Sequence, residues 1–440
     1  MLSAIFTALL IDILAFTVIL PLLPRILSHY ASTDGLDPDS LFSLCLYTLK
    51  SLTATSPSSS SFDLVLMGGA VGSLFSFLQF LVSPLVGRLA DKYGRRPVLL
   101  LSMFGNAASM ALWIFSSSFP VFLLSRIIGG LTEGNVQISI AMITDVTTRE
   151  TRSKGLALVG IAFALGFTIG PPLGAFFASI DLFEIWPALS KYPINSYSSP
   201  ALFAFCLIIM ETIYMYFCLP ETLHLAPDKT AARAREASEA KSSVKTRSSS
   251  LAFLTFIHFY YLFFFSGMEF TLTFLTFETF KFSHMDQGKL LGYIGVTSAL
   301  IQGLYVRRVA HKHLHEKTLV LQGMMACSLG LAAVSLVPAS GSSVYLYTGA
   351  TLLAFTSATV VGGLTALASF SLSADRGGED LGRFRAWGQL GRAAGPGVAS
   401  AVYWMYGGAF AYRGAAVGVL GAVIGVWMCV AGWGKRRKVD

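Results

Sequence analysis

Long apolar runs alternate along this chain with short polar stretches rich in Lys and Arg. A helix rising about 1.5 Å per residue needs roughly 20 apolar residues to cross a hydrocarbon core about 30 Å thick. Runs of that length predict helix 1 at Leu2–Ile26, helix 2 at Asp63–Val86, helix 3 at Pro97–Phe115 and helix 4 at Phe119–Thr144. Helices 5 and 6 follow at Lys154–Ile180 and Ala201–Leu219, helix 7 at Leu251–Phe280 and helix 8 at Asp286–Val306. Helices 9 to 12 are predicted at Lys317–Val337, Ser343–Leu372, Phe384–Tyr406 and Ala409–Trp433. Glycines recur within these runs and suit close helix contacts in lipid. The pattern predicts an all-α membrane protein of twelve transmembrane helices.

Two loops are long. The outer loop 27–62 carries Leu41, Phe42, Leu44, Leu46 and Leu49, which predict a short interfacial helix. The inner loop 220–250 is rich in Ala, Ser, Lys and Arg and reads as a linker. The expected organisation is a six-helix bundle over 1–219, the linker 220–250, a second six-helix bundle over 251–434 and a basic tail over 435–440.

Composition and charge sharpen this picture. Of 440 residues, 54% are hydrophobic and 13% charged, against about 25% charged in soluble domains. The formal charge of +8 could signal nucleic acid, but its distribution points to a membrane. With both termini inside, the inner segments hold 24 of the 32 Lys and Arg and the outer ones hold six. Arg126 and Arg392 lie within helices. Lys and Arg concentrate on the cytosolic side of membrane proteins, so cytosolic termini and an even number of crossings are expected. The first run lacks a basic leader and ends in Pro-Leu-Leu-Pro, unlike a cleaved signal. The five cysteines form no CxxC pair, and His311, His313 and His315 stand in a basic loop without zinc-site spacing. No metal or cofactor is expected. No G-x-x-x-x-G-K-[ST] fingerprint occurs, so ATP hydrolysis is not expected. Without a nucleophile–base or metal-ligand motif, an enzyme is not expected either.

An internal repeat is visible. Helix 5 holds Gly166-Phe-Thr-Ile-Gly170-Pro171 and helix 11 holds Gly391-Arg-Ala-Ala-Gly395-Pro396. Both read G-x-x-x-G-P at the same ordinal place in two sets of six helices, the kind of weak repeat found in transporters. Glycines four apart share a face and admit a close neighbour, and the proline removes a backbone bond and allows a bend. A static packing face and a bending point both fit.

Between helices 2 and 3 stands Gly87-Arg88-Leu89-Ala90-Asp91-Lys92-Tyr93-Gly94-Arg95-Arg96-Pro97. The two outer glycines are read as bracketing a tight turn. Asp91 is a lone carboxylate among basic residues, and an Arg or a helix N-terminus would partner it. The stretch closely resembles the loop 2–3 signature of the major facilitator superfamily, G-x-x-x-D-[RK]-x-G-[RK]-[RK]. Arg126-Ile-Ile-Gly129-Gly130 resembles its helix 4 element, and Gly166 to Gly174 resembles the helix 5 signature of its drug–proton antiporters. Pro220-Glu221-Thr222 resembles the usual close of its helix 6. The opening run through Asp12 and the run through Gly134 and Asn135 look like the eukaryotic tetracycline-transporter-like proteins, a subgroup associated with organic anion and drug efflux. By this resemblance, Gly87, Asp91, Lys92, Gly94, Arg95 and Arg96 belong to a cytosolic gate. Its expected neighbours are Asp145 and the N-terminal end of helix 11. The second set of helices departs from the pattern: Gly303-Leu-Tyr-Val-Arg307-Arg308 has no acidic residue.

Ionisable groups near a bilayer centre cost about 2.5–3.5 kcal/mol on insertion scales, so they face the bundle interior and find partners. Asp12, Arg126, Glu133, Glu211, Glu269 and Arg392 qualify, with His258 beside them. Arg126 and Glu133 are seven apart and share a face of an unbroken helix, with Asp12 between them in depth. Asp12 is therefore the candidate proton carrier and Arg126 its candidate partner and anion contact; a structural ion pair fits the same spacing. Glu133, Glu211 and Glu269 are further candidates for proton or solute binding. Arg392, read as near the inner end of helix 11, is expected to reach toward water. The aromatic run around Tyr260 and Tyr261 fits lipid contact or stacking of a flat solute.

The expected function is secondary active transport of small organic solutes, coupled to protons by antiport and alternating access. A uniporter or exchanger, and a receptor built on a transporter frame, are the alternatives. Expected partners are the solute, protons and the lipid bilayer, with no nucleic acid and a monomeric chain, in the plasma membrane or an endomembrane.

Overall fold

No water reaches the hydrocarbon layer to bond backbone amides, so each crossing segment satisfies its own N–H and C=O groups as a helix. The structure, a computed structural model, describes residues 1–18, 22–53, 60–148, 151–178, 198–225, 241–282, 284–310, 314–372 and 377–429, with positions 180, 182, 187, 191 and 194. The described helices are α1 Leu2–Thr17, α2 Ser60–Tyr93, α3 Arg95–Ile114, α4a Phe119–Thr132, α4b Asn135–Asp145, α5 Arg152–Ala178 and α6 Ser198–Cys218. They continue as α7 Lys241–Phe280, α8 His284–Leu300, α9 Glu316–Val334, α10 Ser343–Ser369, α11 Gly377–Tyr406 and α12 Gly408–Cys429. Among the described residues, nine helices are long and apolar enough to cross a membrane. The other three rods are α1, the divided α4 and α11, whose first turns are polar.

Each set of six rods has its own core. Tyr261, Leu331, Leu346 and Tyr412 pack together in one cluster drawn from α7 to α12. Ile5, Leu9, Met103 and Met142 pack in another. A third cluster joins Tyr30 and Phe42 of the 27–62 segment to Trp113 and Phe119. That segment holds the expected short helix, at Leu41–Thr53.

Helices 1, 2, 4, 7 and 11 differ from the sequence reading in their bounds or continuity. The first run divides, with α1 ending at Thr17 and a second helix, Leu23–Thr33, opening on a proline. Helix α2 runs through Gly87 to Tyr93, so only Gly94 of the two glycines makes the turn, at φ 105°. Helix 4 is broken at Glu133 and Gly134. Helices α7 and α11 begin at Lys241 and Gly377, ahead of their apolar runs, because their polar first turns carry no hydropathy signal. The start of α7 falls within the expected linker, whose residues 226–240 lie outside the described ones, as do 430–433 and the basic tail.

The repeated glycine motif does one job twice. A Cβ on Gly166, Gly170 or Gly174 of α5 would run into Ile13, Thr17 or Val18 at the end of α1. The Thr17 hydroxyl donates to Gly166 O at 2.9 Å across that contact. A Cβ on Gly391 or Gly395 of α11 would meet the backbone of Phe259 or Phe263 in α7. The fifth rod of each set thus packs on the first through bare glycine. Pro171 and Pro396 stand within these helices, and the surroundings of the glycines support the close-packing reading.

Candidate functional site

At the end of the bundle that carries Lys92 and Arg96, called here the basic face, the motif folds into a buried ion network. Asp91 lies in the last turn of α2 and Arg95 opens α3, so the turn at Gly94 folds the two side chains together. Arg95 Nη1 donates to Asp91 Oδ1 at 2.7 Å and Arg95 Nε donates to Asp145 Oδ2 at 3.0 Å. Asp91 also accepts the amide hydrogens of Gly378 and Glu379 at 3.0 and 2.9 Å, at the start of α11. The lone carboxylate therefore has both kinds of partner, a guanidinium and the positive end of a helix. Glu379 in turn accepts from Arg88 at 3.0 Å and from Arg383 at 2.7 Å. Arg96 Nη2 donates to Tyr216 O at 2.5 Å. Lys92 lies over the ring of its neighbour Tyr93, 4.9 Å from the centroid.

Glu221 and Glu379 belong to this network, and sequence reasoning assigned neither a role in it. Glu221 accepts the first free amides of α3, from Arg95 at 2.9 Å and Arg96 at 3.1 Å. It also accepts those of Thr222 and Leu223. Partial burial pushes its carboxyl up, but these backbone donors outweigh burial and hold it below the usual carboxylate range. The signal for Glu221 was present in the Pro-Glu-Thr close of helix 6.

The basic face is closed by contacts between the two sets of rods. Besides Asp91 with α11, Arg152 Nη1 donates to Ser369 O at 3.1 Å and Gln302 Nε2 donates to Ala157 O at 3.2 Å. Gln137 in α4b is buried, donates to Ser83 O at 2.8 Å, and touches the positions of both Gly87 and Gly382.

Deeper in the bundle, three acids gather at the break in helix 4. Asp12 is 6% exposed and Glu211 is 1% exposed. Asn135 Nδ2 donates to Asp12 Oδ1 at 2.7 Å, and Asn106 Nδ2 donates to Glu133 Oε2 at 3.0 Å. Glu211 Oε2 is buried without a hydrogen-bond partner. Each of the three feels the charge of another. Their cation comes from α11: the field of Arg385 reaches both Glu133 and Asp12. The packing explains this. Gly382 of α11 meets Gln137 of α4b, and just beyond that contact Arg385 of α11 comes toward the break at Glu133. The break itself is stitched by side chains, with the Ser102 hydroxyl donating to Thr132 O.

Arg126 is not paired with Asp12. Its guanidinium sits 4.6 Å from the Trp113 ring centroid, with Phe122 and Phe75 at 5.9 and 6.0 Å. A desolvated guanidinium over aromatic faces gains about 2 kcal/mol. Two of its buried nitrogens have no hydrogen-bond partner. The break at Glu133 ends the helical register that would have stacked Arg126 and Glu133. Arg392 is not at an inner end either. It stands 15 residues into α11, about 22 Å along the rod, where Glu269, Tyr261 and His258 feel its charge.

Glu269 lines a cavity of about 70 Å³ with Phe265, Thr273, Thr276 and Gln287. That space holds a few waters and is far below the roughly 300 Å³ of a solute pocket. The ring of His258 stacks on Phe384 at 4.2 Å and its Nδ1 lies 3.1 Å from Phe384 O. Tyr261 is fully buried in the core and Tyr260 packs at its margin. Among the described residues no cluster of three or more His, Cys, Asp or Glu could hold a metal.

Known proteins resemble the chain over nearly its whole length. The sequence profile of the Major Facilitator Superfamily matches residues 5–396. The human major facilitator superfamily domain-containing protein 10 is 39% identical over 426 residues, 92% of this chain and 88% of the relative. The crystal structure of the human organic anion transporter MFSD10 (TETRAN) superposes with a TM-score of 0.81 at 34% identity, covering 97% of this chain and 98% of that one. The class E tetracycline resistance protein of Escherichia coli is 29% identical over 273 residues, 62% of this chain and 63% of its own.

Proposed function

The chain belongs to the major facilitator superfamily, and we propose that it is a secondary active transporter of organic anions or drug-like solutes, coupled to protons by antiport. The basic face is the cytosolic one and the two six-helix bundles rock about the buried acids. The observation that carries this reading is the grouping of Asp12, Glu133 and Glu211, with Arg385 of the other bundle bringing its charge to Glu133 and Asp12. Three acids and one guanidinium leave the group short of positive charge, and away from water it must take up protons or a cation to approach neutrality. Its members come from both bundles, so any rocking motion changes their spacing and with it the affinity for a proton. The organic anion of the human relative is the leading solute class. Asp91, Arg95 and Asp145 act as the lock that holds the basic face shut, with Lys92, Gly94 and Arg96 shaping the turn.

The position of Arg385 favours a second reading of the coupling. An anionic solute that engages Arg385 withdraws its field from Glu133 and Asp12, so proton and anion enter together. Flux from proteoliposomes distinguishes the two. Under antiport, solute uptake rises when the vesicle interior is acidic; under co-entry it rises when the exterior is acidic. In either case Asp12→Asn and Glu133→Gln abolish the response to the pH gradient. A flux indifferent to the gradient in the unaltered protein makes it a uniporter or exchanger instead.

A further inference from the structure

On the basic face, beside the seam between the bundles, lies a second cavity that takes no part in the central group. Its volume is about 40 Å³. Lys154 of α5, Arg307 on the π-helical extension Ile301–Ala310 of α8, and His315 before α9 form its rim. Val306 and Ala366 form an apolar wall, and the position of Gly362 opens on empty space. Lys154 and Arg307 are exposed, and neither has an ion-pair partner among the described residues. Glu316 shares the rim, whose charge stays positive with it counted. At the base is Gln302, 2% exposed, with its amide nitrogen bonded to Ala157 O and its Oε1 buried without a donor. A buried amide oxygen without a donor calls for one.

We propose that this cavity binds the headgroup of an anionic phospholipid that carries free hydroxyls, such as an inositol or glycerol headgroup. The phosphate sits at the rim among Lys154, Arg307 and His315. A headgroup hydroxyl donates to Gln302 Oε1, the tip being all that so small a space admits. The acyl chains stay outside the cavity, in the bilayer. This placement joins residues of both bundles across the Gln302–Ala157 contact, so the lipid binds the closed basic face better than an open one. Basic residues at a membrane surface each add about a fivefold factor to the binding of anionic lipid.

The test is native mass spectrometry of the full-length protein in detergent, titrated with dioctanoyl phosphatidylinositol, dioctanoyl phosphatidylcholine or inorganic phosphate. Phosphatidylinositol is expected to remain bound and phosphatidylcholine to dissociate. The double variant Lys154→Gln/Arg307→Gln is expected to weaken phosphatidylinositol binding about 25-fold, a fivefold factor for each charge. Lys289→Gln, on a different exposed turn, serves as the control and leaves binding unchanged. Equal retention of phosphatidylcholine, or unaltered binding by the double variant, overturns the proposal. Competition by inorganic phosphate at the same concentration overturns the lipid assignment, because the site then reads phosphate alone.

Discussion

Asn135, the first residue of α4b, donates its side-chain amide to Asp12 of α1 at 2.7 Å. Ten residues further along the same short rod, Asp145 accepts from Arg95 at 3.0 Å. A rod about 15 Å long therefore ties the buried acid group at one end to the basic-face ion network at the other.

This tie predicts the effect of Asn135→Ala. The variant removes a hydrogen bond to a charged acceptor, worth about 1.5–3 kcal/mol. Proton-driven solute flux in proteoliposomes is expected to fall about tenfold or more, while the protein inserts and purifies normally. Unchanged pH-gradient-driven flux separates Asn135 from coupling.

Asp91→Asn tests the lock. The carboxylate that meets the start of α11 is lost, and Arg95 keeps only Asp145. A partly buried anion at a helix N-terminus contributes up to about 2 kcal/mol, which is about thirtyfold in the ratio of closed to open basic face. A cysteine placed at Ser83, which is 1% exposed and lies against Gly382 of α11, should react with a water-soluble maleimide much faster in the Asp91→Asn background. Equal rates in both backgrounds reject the role.

Gly94→Ala should destabilise the protein. The backbone at Gly94 has φ 105° and ψ 155°, a region kept for glycine that costs other residues about 1–3 kcal/mol. An added Cβ would also meet Glu221. The expected result is a lower thermal midpoint, together with loss of the α3 cap.

Glu221→Gln probes the same cap with a pH signature. The folded carboxyl lies below its ordinary range because four backbone amides donate to it. Such a group stabilises the fold fully above the unfolded value of about 4.3, and the contribution is lost as pH falls through the lower folded value. Near neutral pH the variant should therefore be less stable, by about 1 kcal/mol, the usual worth of a helix cap. The gap to the unaltered protein should close as pH drops below about 4. A gap that stays constant with pH removes the charge from the argument.

Much of the architecture was legible in the residues themselves. The thickness of hydrocarbon dictates run length, so twelve apolar stretches announced twelve rods, including those the charge pattern alone would not locate. The pair Asp91 and Arg95 was marked by the resemblance, which also supplied Asp145. Glycines at 166, 170, 391 and 395 announced two close helix contacts, although not which helices would fill them.

Chain order decided none of the long-range meetings. Asp91 and Gly378 are 287 residues apart, and no local pattern joins them. Helix 4 reads as continuous because hydropathy averages over the break; Ser102 and Asn106 reach it from α3 and Asp12 from α1. Arg385 looked like one more loop charge because the polar first turns of α11 hide where that helix begins. Run length and periodicity are properties of neighbours along the chain, and the residues could state them. The partner of a buried charge depends on which helices pack face to face, and only the folded bundle decides that.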